Sequence, residues 1–223
     1  MNPDVLWRYL PSLISGFGVT IFCWSAGGAL GMLLGFAIAL ARRLPLPPLQ
    51  WALRLFIEVF RGTPFLMQLF LLYSGGPYIG LRLNATEAGV LGLGLYSSAY
   101  FAEIFRAGFS AVPRGQIEAA TSVGMAPFDT LLRVSMPAAL ISAVPPIVNM
   151  LIVLSKETVV LSIITVPELM YQMQTMAAET FTAFDAIFAM AVFYWVLVET
   201  VSRVGARVEA RVTAFLAREG ATA

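Results

Sequence analysis

VPRGQIEAATSVGMAPFDTLLRVSMP, running from Val112 to Pro137, is a polar interruption in a chain made mostly of apolar runs. Its charges, Arg114, Glu118, Asp129 and Arg133, make it too polar for a bilayer core, yet long uncharged stretches flank it. Pro113 and Gly115 punctuate its start. Gln116 to Met125 then reads as a short helix with Ile117, Ala120, Val123 and Gly124 on one face, and Gly124 permits a tight helix end. A short amphipathic helix tethered between two spans is either a docking element or an interfacial helix lying on lipid.

Outward from this loop, charge-free runs mark the spans. Residues 9–41, 62–81, the stretch between Glu87 and Glu103, 134–155 (continuing beyond Lys156-Glu157 through Val159–Val166) and 186–198 give five. The expected spans are about 12–41, 62–80, 86–105, 137–165 and 183–202, with a loop at 112–136, all in one domain of 223 residues. The first run is too long for a signal-peptide core and has no basic lead, so it reads as a retained span. Composition agrees: 59% of residues are hydrophobic and 12% charged, against about 25% charged in a soluble domain. Mean hydropathy is +0.81. The fold expected is an all-α integral membrane protein.

The same composition excludes chemistries. With no His there is no imidazole base, His-ligated metal or Ser-His-Asp triad. Cys23 is alone, so it makes no internal disulfide or thiolate metal site. Lys156, the one lysine, follows Leu154-Ser155 rather than a glycine-rich loop, so the chain has no Walker A motif. If ATP is used, another chain binds it. The net charge of +1 gives no reason to expect nucleic acid.

Arginines orient the spans. Arg42, Arg43, Arg54, Arg61, Arg106, Arg114, Arg133, Arg203, Arg207, Arg211 and Arg218 fall on one side, and only Arg8 and Arg82 on the other. The positive-inside rule then puts the N-terminus outside and the C-terminus in the cytoplasm. Glu87, Glu168, Glu179 and Asp185 fall near outer loops. The C-terminal arginines form either a juxtamembrane helix on anionic lipid or a solvated end.

Further signals concern packing and helix breaks. Gly27, Gly31 and Gly35, followed by Ala39, form a small-residue stripe, either a seam between backbones or the ordinary glycine enrichment of membrane helices. Pro145-Pro146 is expected to interrupt the fourth span, because each proline removes a backbone donor. Gly75-Gly76-Pro77 is expected to end the second span in a turn. The ten methionines read as packing filler.

Glu118-Ala119-Ala120, Gly124 after three intervening residues, then Val134, Met136 and Pro137 resemble the EAA loop of ABC importer permeases, with Val and Met as hydrophobic departures. EVFRGTPFLMQLFLLY (Glu58–Tyr73), AYFAEIFRAGFSAVPRGQIEAATSVGM (Ala99–Met125) and LIVLSKETVVLSIITVPEL (Leu151–Leu169) narrow the resemblance to the polar amino-acid, histidine/glutamine permease-like group. The resemblance implies a type I importer permease that is not itself an enzyme. It also implies a dimer of ABC ATPase subunits carrying ATP and Mg, a second permease subunit (identical or paralogous), and an extracytoplasmic solute-binding protein. The setting would be the bacterial cytoplasmic membrane. Carried over by position, Gly115, Gln116, Glu118, Ala119, Ala120 and Gly124 would form the ATPase-coupling contact. The alternative for Glu118 is a helix-opening carboxylate in the first turn.

Ionisable residues within spans are candidates for function. Lys156 and Glu157 stand out, and Ser155, Thr158, Ser162 and Thr165 recur around them as a polar stripe, read as a hydratable face for a zwitterion. Lys156 or Glu157 either meets the substrate or forms a structural ion pair. Glu103 and Arg106 can pair along one helix, and Arg61, beside Gly62-Thr63-Pro64, is an anchor, a gate residue or a cap. The rival reading is an ATP-independent secondary transporter or channel subunit, which internal inverted repeats would support. None is evident.

Overall fold

The computed structural model describes residues 3–220, with side chains for 4–212, so the Arg218 side chain lies outside the described residues. The described chain is helical throughout. Helix α1 (Pro3–Ala41) stops at Arg42-Arg43, ahead of Pro45. Helix α2 (Pro47–Gly62) starts on a proline, whose missing N–H costs nothing in a first turn. Helix α3 (Phe65–Phe70) follows a bend of 110° from α2 and continues as a π turn (Leu71–Gly75) and a 3-10 turn (Gly76–Ile79). The second apolar run therefore does not end at Gly75-Gly76-Pro77 as expected. It closes at Gly80, where φ is +85°.

Helix α4 (Ala85–Ser110) is the hub. Its start is a capping box: Asn84 Oδ1 accepts from Glu87 N–H at 2.9 Å, and Asn84 N–H donates to the Glu87 carboxylate at 2.9 Å. Glu87 is thus a cap. The glycine stripe of α1 lies against α4 within one chain. A Cβ added to Gly31 would stand 1.9 Å from Ser97 Oγ, and one added to Gly35 2.5 Å from Phe101 Cβ. In lipid, van der Waals contact of this closeness replaces the hydrophobic drive that water would supply.

The loop helices α5 (Arg114–Ser122) and α6 (Pro127–Thr130) lead through a π turn (Leu131–Ser135) into α7 (Met136–Glu157). Pro145-Pro146 does not interrupt α7; the helix runs through both. The prolines leave the carbonyls of Ile141 and Ser142 without their α-helical donors, a loss that a membrane helix tolerates where protein or a cavity covers it. Regular geometry changes later, in a 3-10 turn over Thr158–Ile164.

Helix α8 (Leu169–Thr180) lies between the expected fourth and fifth spans and packs Leu169, Met173 and Met176 with Leu13 and Ala186. Helix α9 (Ala183–Gly220) is one helix, so the arginine-bearing C-terminal stretch continues the last span. Among the described residues, four segments are long and apolar enough to cross a membrane, or five counting the bent α2–α3 pair. The ends of α1 and α4 and the start of α7 meet beside α5, here called the loop end.

Candidate functional site

The loop helix is short because its two ends are specified locally. Pro113 precedes it, and Gly124 terminates it in a left-handed conformation (φ +80°). Gly124 N–H donates to Thr121 O at 3.0 Å and Met125 N–H to Ala120 O at 3.1 Å, closing the last turn. Ala120 is buried, and Ile117 packs on Phe109, Val112 and Ala139, so α5 grips the end of α4 and the start of α7. Gly115, Gln116, Glu118 and Ala119 face outward. Glu118 sits in the second turn of α5, which removes the first-turn reading of its charge. Val123, expected on the packed face, is 78% exposed, because the helix ends at Ser122 and the turn at Gly124 swings it out. Phe128 is 69% exposed nearby, and Asp129 pairs with Arg133 at 3.4 Å.

Above the loop, charge collects around Glu103. It accepts from Arg42 of α1 at 2.5 Å and from Arg106 at 2.8 Å. The i,i+3 pair read from the sequence is therefore part of a three-residue bridge between α1 and α4. Arg61 has its guanidinium 5.4 Å from the Tyr100 ring centre, a cation–π distance. Among the described residues it makes no ion pair. Two cavities, of about 510 and 410 Å³, share Arg61, Glu103 and Arg106 as walls, and Ser142 and Pro146 of α7 line the larger. Thr63 is not part of this cluster. Its hydroxyl donates to Val59 O at 2.8 Å, and the Gln68 amide donates to Phe60 O and to both Thr63 oxygens at 2.8–3.0 Å. Thr63 and Gln68 thus hold the α2–α3 bend.

A tethered, outward-facing loop helix between two spans, joined to a cationic cavity, is the arrangement to compare with known proteins. The family model described as "Binding-protein-dependent transport system inner membrane component" matches residues 29–214. The chain belongs to this family. The permease is 36% identical over 207 residues to a probable amino-acid ABC transporter permease, YckA, of Bacillus subtilis, covering 88% of this chain and 92% of the relative. It is 37% identical over 205 residues to the probable amino-acid ABC transporter permease PatM of Vibrio harveyi, covering 91% and 92%. The solved structure of an amino acid ABC transporter with histidines superposes with a TM-score of 0.89 at 35% identity, covering 95% of this chain and 99% of that one. The methionine transporter MetNI, at 19% identity and a TM-score of 0.80, shares the fold. The permease is accordingly a multi-pass membrane transport subunit, of a family that works with a separate ATPase and a binding protein.

Of the polar stripe predicted on the fourth span, Thr165 is exposed, but the other three residues form no hydratable face in the permease. Ser155, Thr158 and Ser162 are buried, and each hydroxyl donates to a carbonyl three residues back at 2.8 Å. Thr158 also meets the Tyr194 hydroxyl at 3.0 Å. Ser155 and Thr158, three apart, share a face that points into the bundle, and the 3-10 turn that starts at Thr158 changes the helix period only for the residues beyond it. Lys156 is exposed and Glu157 half-buried, and neither forms an ion pair among the described residues. The exposed face of α7 instead carries Ser142, Pro146, Asn149 and Lys156. Their spacing of four, three and seven was readable as a helical stripe, with Pro146 masking it as a break.

Sequence reasoning also missed Arg42 as a partner of Glu103; 61 positions apart, the two carry no local signal. Glu168, expected near an outer loop, is fully buried, where it accepts from Tyr171 N–H at 2.8 Å and from the Thr20 hydroxyl at 3.3 Å. A carboxylate directly before Leu169, Met173 and Met176 was a legible start for α8.

Proposed function

We propose that this chain is the membrane-spanning subunit of an ATP-driven importer for polar amino acids or close derivatives such as opines. The names of the relatives at 36–37% identity support the amino-acid class. The outward-facing helix α5 carries the coupling reading. It presents Gly115, Gln116, Glu118 and Ala119 to a partner while Ile117 and Ala120 bind it to α4 and α7. Small residues allow close approach, and Glu118 offers a charge-assisted acceptor. Closure of an ATPase pair beneath α5 would push on the ends of both helices, so the partner's differential affinity for two conformations shifts the permease between them.

In this reading the loop end is cytoplasmic, the N-terminus is external and the protein sits in the cytoplasmic membrane. A second permease subunit, identical or paralogous, completes the pathway. Two ATPase subunits bind ATP and Mg, and an external binding protein delivers the solute. Lys156 and Glu157 are the pathway charges away from the loop, with Arg61, Glu103 and Arg106 at its inner mouth. Ser155, Thr158 and Ser162 support the backbone beside them.

The test is Glu118→Arg in the reconstituted complex. Binding-protein-stimulated ATP hydrolysis should fall at least about tenfold, the loss of a charge-assisted contact, while the thermal stability of the permease is unchanged because the side chain touches solvent. Normal stimulation would overturn the coupling reading. Uptake without any co-purifying ATPase would favour the channel instead.

A further inference from the structure

The larger cavity at the loop end has two walls of different chemistry. On one, Arg61 has an aromatic face and, among the described residues, no carboxylate in ion-pair contact, and Arg106 gives only its Nε to Glu103. A guanidinium has five N–H donors, so both arginines keep several free, in the fork that suits a carboxylate. On the other wall stand Ser142 and Pro146. Pro146 has no N–H to donate to the Ser142 carbonyl four residues back, so that oxygen lacks its helical partner. The Ser142 hydroxyl cannot supply the missing donor, because it donates to Ala138 O at 3.1 Å. One cavity of about 510 Å³ is therefore lined by arginines with donors to spare, by Glu103, which those arginines already engage in part, and by a serine whose carbonyl lacks its α-helical donor. A carboxylate satisfies the arginines and an ammonium the carbonyl.

We infer that this cavity docks the head group of an α-amino acid, its carboxylate on Arg61 and Arg106 and its ammonium on the Ser142 carbonyl. The inference rests on the amino-acid importer reading and adds a station at the loop end, separate from Lys156 and Glu157. Because only the head group is held, the station is indifferent to the side chain, apart from a bias against cationic ones set by the surrounding arginines. The proline in mid-helix gains a purpose: it keeps an acceptor open that any other residue would close.

The experiment uses the nucleotide-free permease–ATPase complex in nanodiscs of phosphatidylcholine and phosphatidylglycerol, with radiolabelled L-alanine in equilibrium dialysis. L-Alanine, L-glutamine and L-glutamate should compete for one saturable site. L-Alaninamide and N-acetyl-L-alanine should each be at least tenfold weaker, and inorganic phosphate should not compete. Arg61→Gln should weaken L-alanine at least tenfold. Pro146→Ala restores the donor to Ser142, so it should erase most of the preference for L-alanine over N-acetyl-L-alanine, a change that a packing role would not produce. If Arg61→Gln fails to assemble, the Pro146→Ala discrimination decides. The inference is overturned by an assembled complex with no saturable binding, by equal competition from phosphate, or by full discrimination in Pro146→Ala. Loss of L-alanine binding when phosphatidylethanolamine replaces phosphatidylcholine would also overturn it, assigning the site to a lipid head group. A permease that never co-elutes with an ATPase would instead defeat the importer reading.

Discussion

Glu103 and Glu168 are both carboxyls set into an apolar bundle, and the chain keeps them by opposite means. At the loop end, Glu103 receives two guanidinium groups, Arg42 from α1 and Arg106 from its own helix. Away from that end, Glu168 has no cation in hydrogen-bond contact; its partners are backbone N–H groups and the Thr20 hydroxyl. Burial outweighs these donors and pushes the Glu168 carboxyl up from 4.5 to about 7. The loop end is thus charged, partly open and beside a cavity, whereas the Glu168 end is closed around a carboxyl near neutrality. Between them runs the glycine seam that packs α1 closely against α4.

Breaking the seam gives the largest effect. Gly31→Leu forces a side chain into Ser97 and the Gly94 carbonyl, atoms that a single added carbon would already meet at 1.9 and 2.9 Å. Overpacking of this kind costs about 3 kcal/mol, so the yield of monodisperse complex should collapse. Gly18→Ala, where nothing lies within 4 Å, should leave it intact. Equal yields would mean that the seam is loose.

Arg42→Ala tests the charged end alone. It leaves Glu103, whose side chain is 22% exposed, with one of two partners, at a cost of about 2 kcal/mol for a charge-assisted bond. Denaturation of the purified permease reads this. Glu168→Gln tests the other end and should cost about 1 kcal/mol as a weakened helix cap. Its signature is in the pH profile. Because the folded-state pKa of Glu168 is raised, its contribution to stability is complete below about 4.5 and fades as pH rises through about 7. Wild type should therefore lose melting temperature relative to Glu168→Gln across that window. A constant difference would mean that the carboxyl is hydrated and the contrast with Glu103 is false.

What the sequence disclosed follows from the range of the interaction involved. Spans, the loop helix and the glycine stripe are periodic or local, so composition and spacing reveal them. The Glu103–Arg106 pair was legible because it closes within one turn, whereas Arg42 reaches the same carboxylate only after α1 and α4 dock. The hydroxyl stripe of Ser155, Thr158 and Ser162 misled because spacing tells that residues share a face but not whether that face is buried, and all three point into the bundle. Pro145-Pro146 misled in the other direction: a missing donor weakens a helix but ends it only where nothing else supports the backbone. For α8, amphipathic spacing was present, yet hydropathy alone gave no reason to separate twelve residues from the loop around them.

The smallest effect calibrates the charged end. Arg203 donates to Glu199 at 2.7 Å, nearly the distance that Arg42 and Arg106 keep to Glu103, but the two side chains are 68% and 40% exposed. Water and salt screen such a pair, and fixing two long side chains costs entropy, so Arg203→Ala should change stability by only about 0.3–0.5 kcal/mol. Its effect should shrink further in high salt, whereas that of Arg42→Ala should persist. Were the two substitutions equally costly, burial would not be what strengthens the Glu103 bridge. The loop end would then owe its rigidity to packing alone.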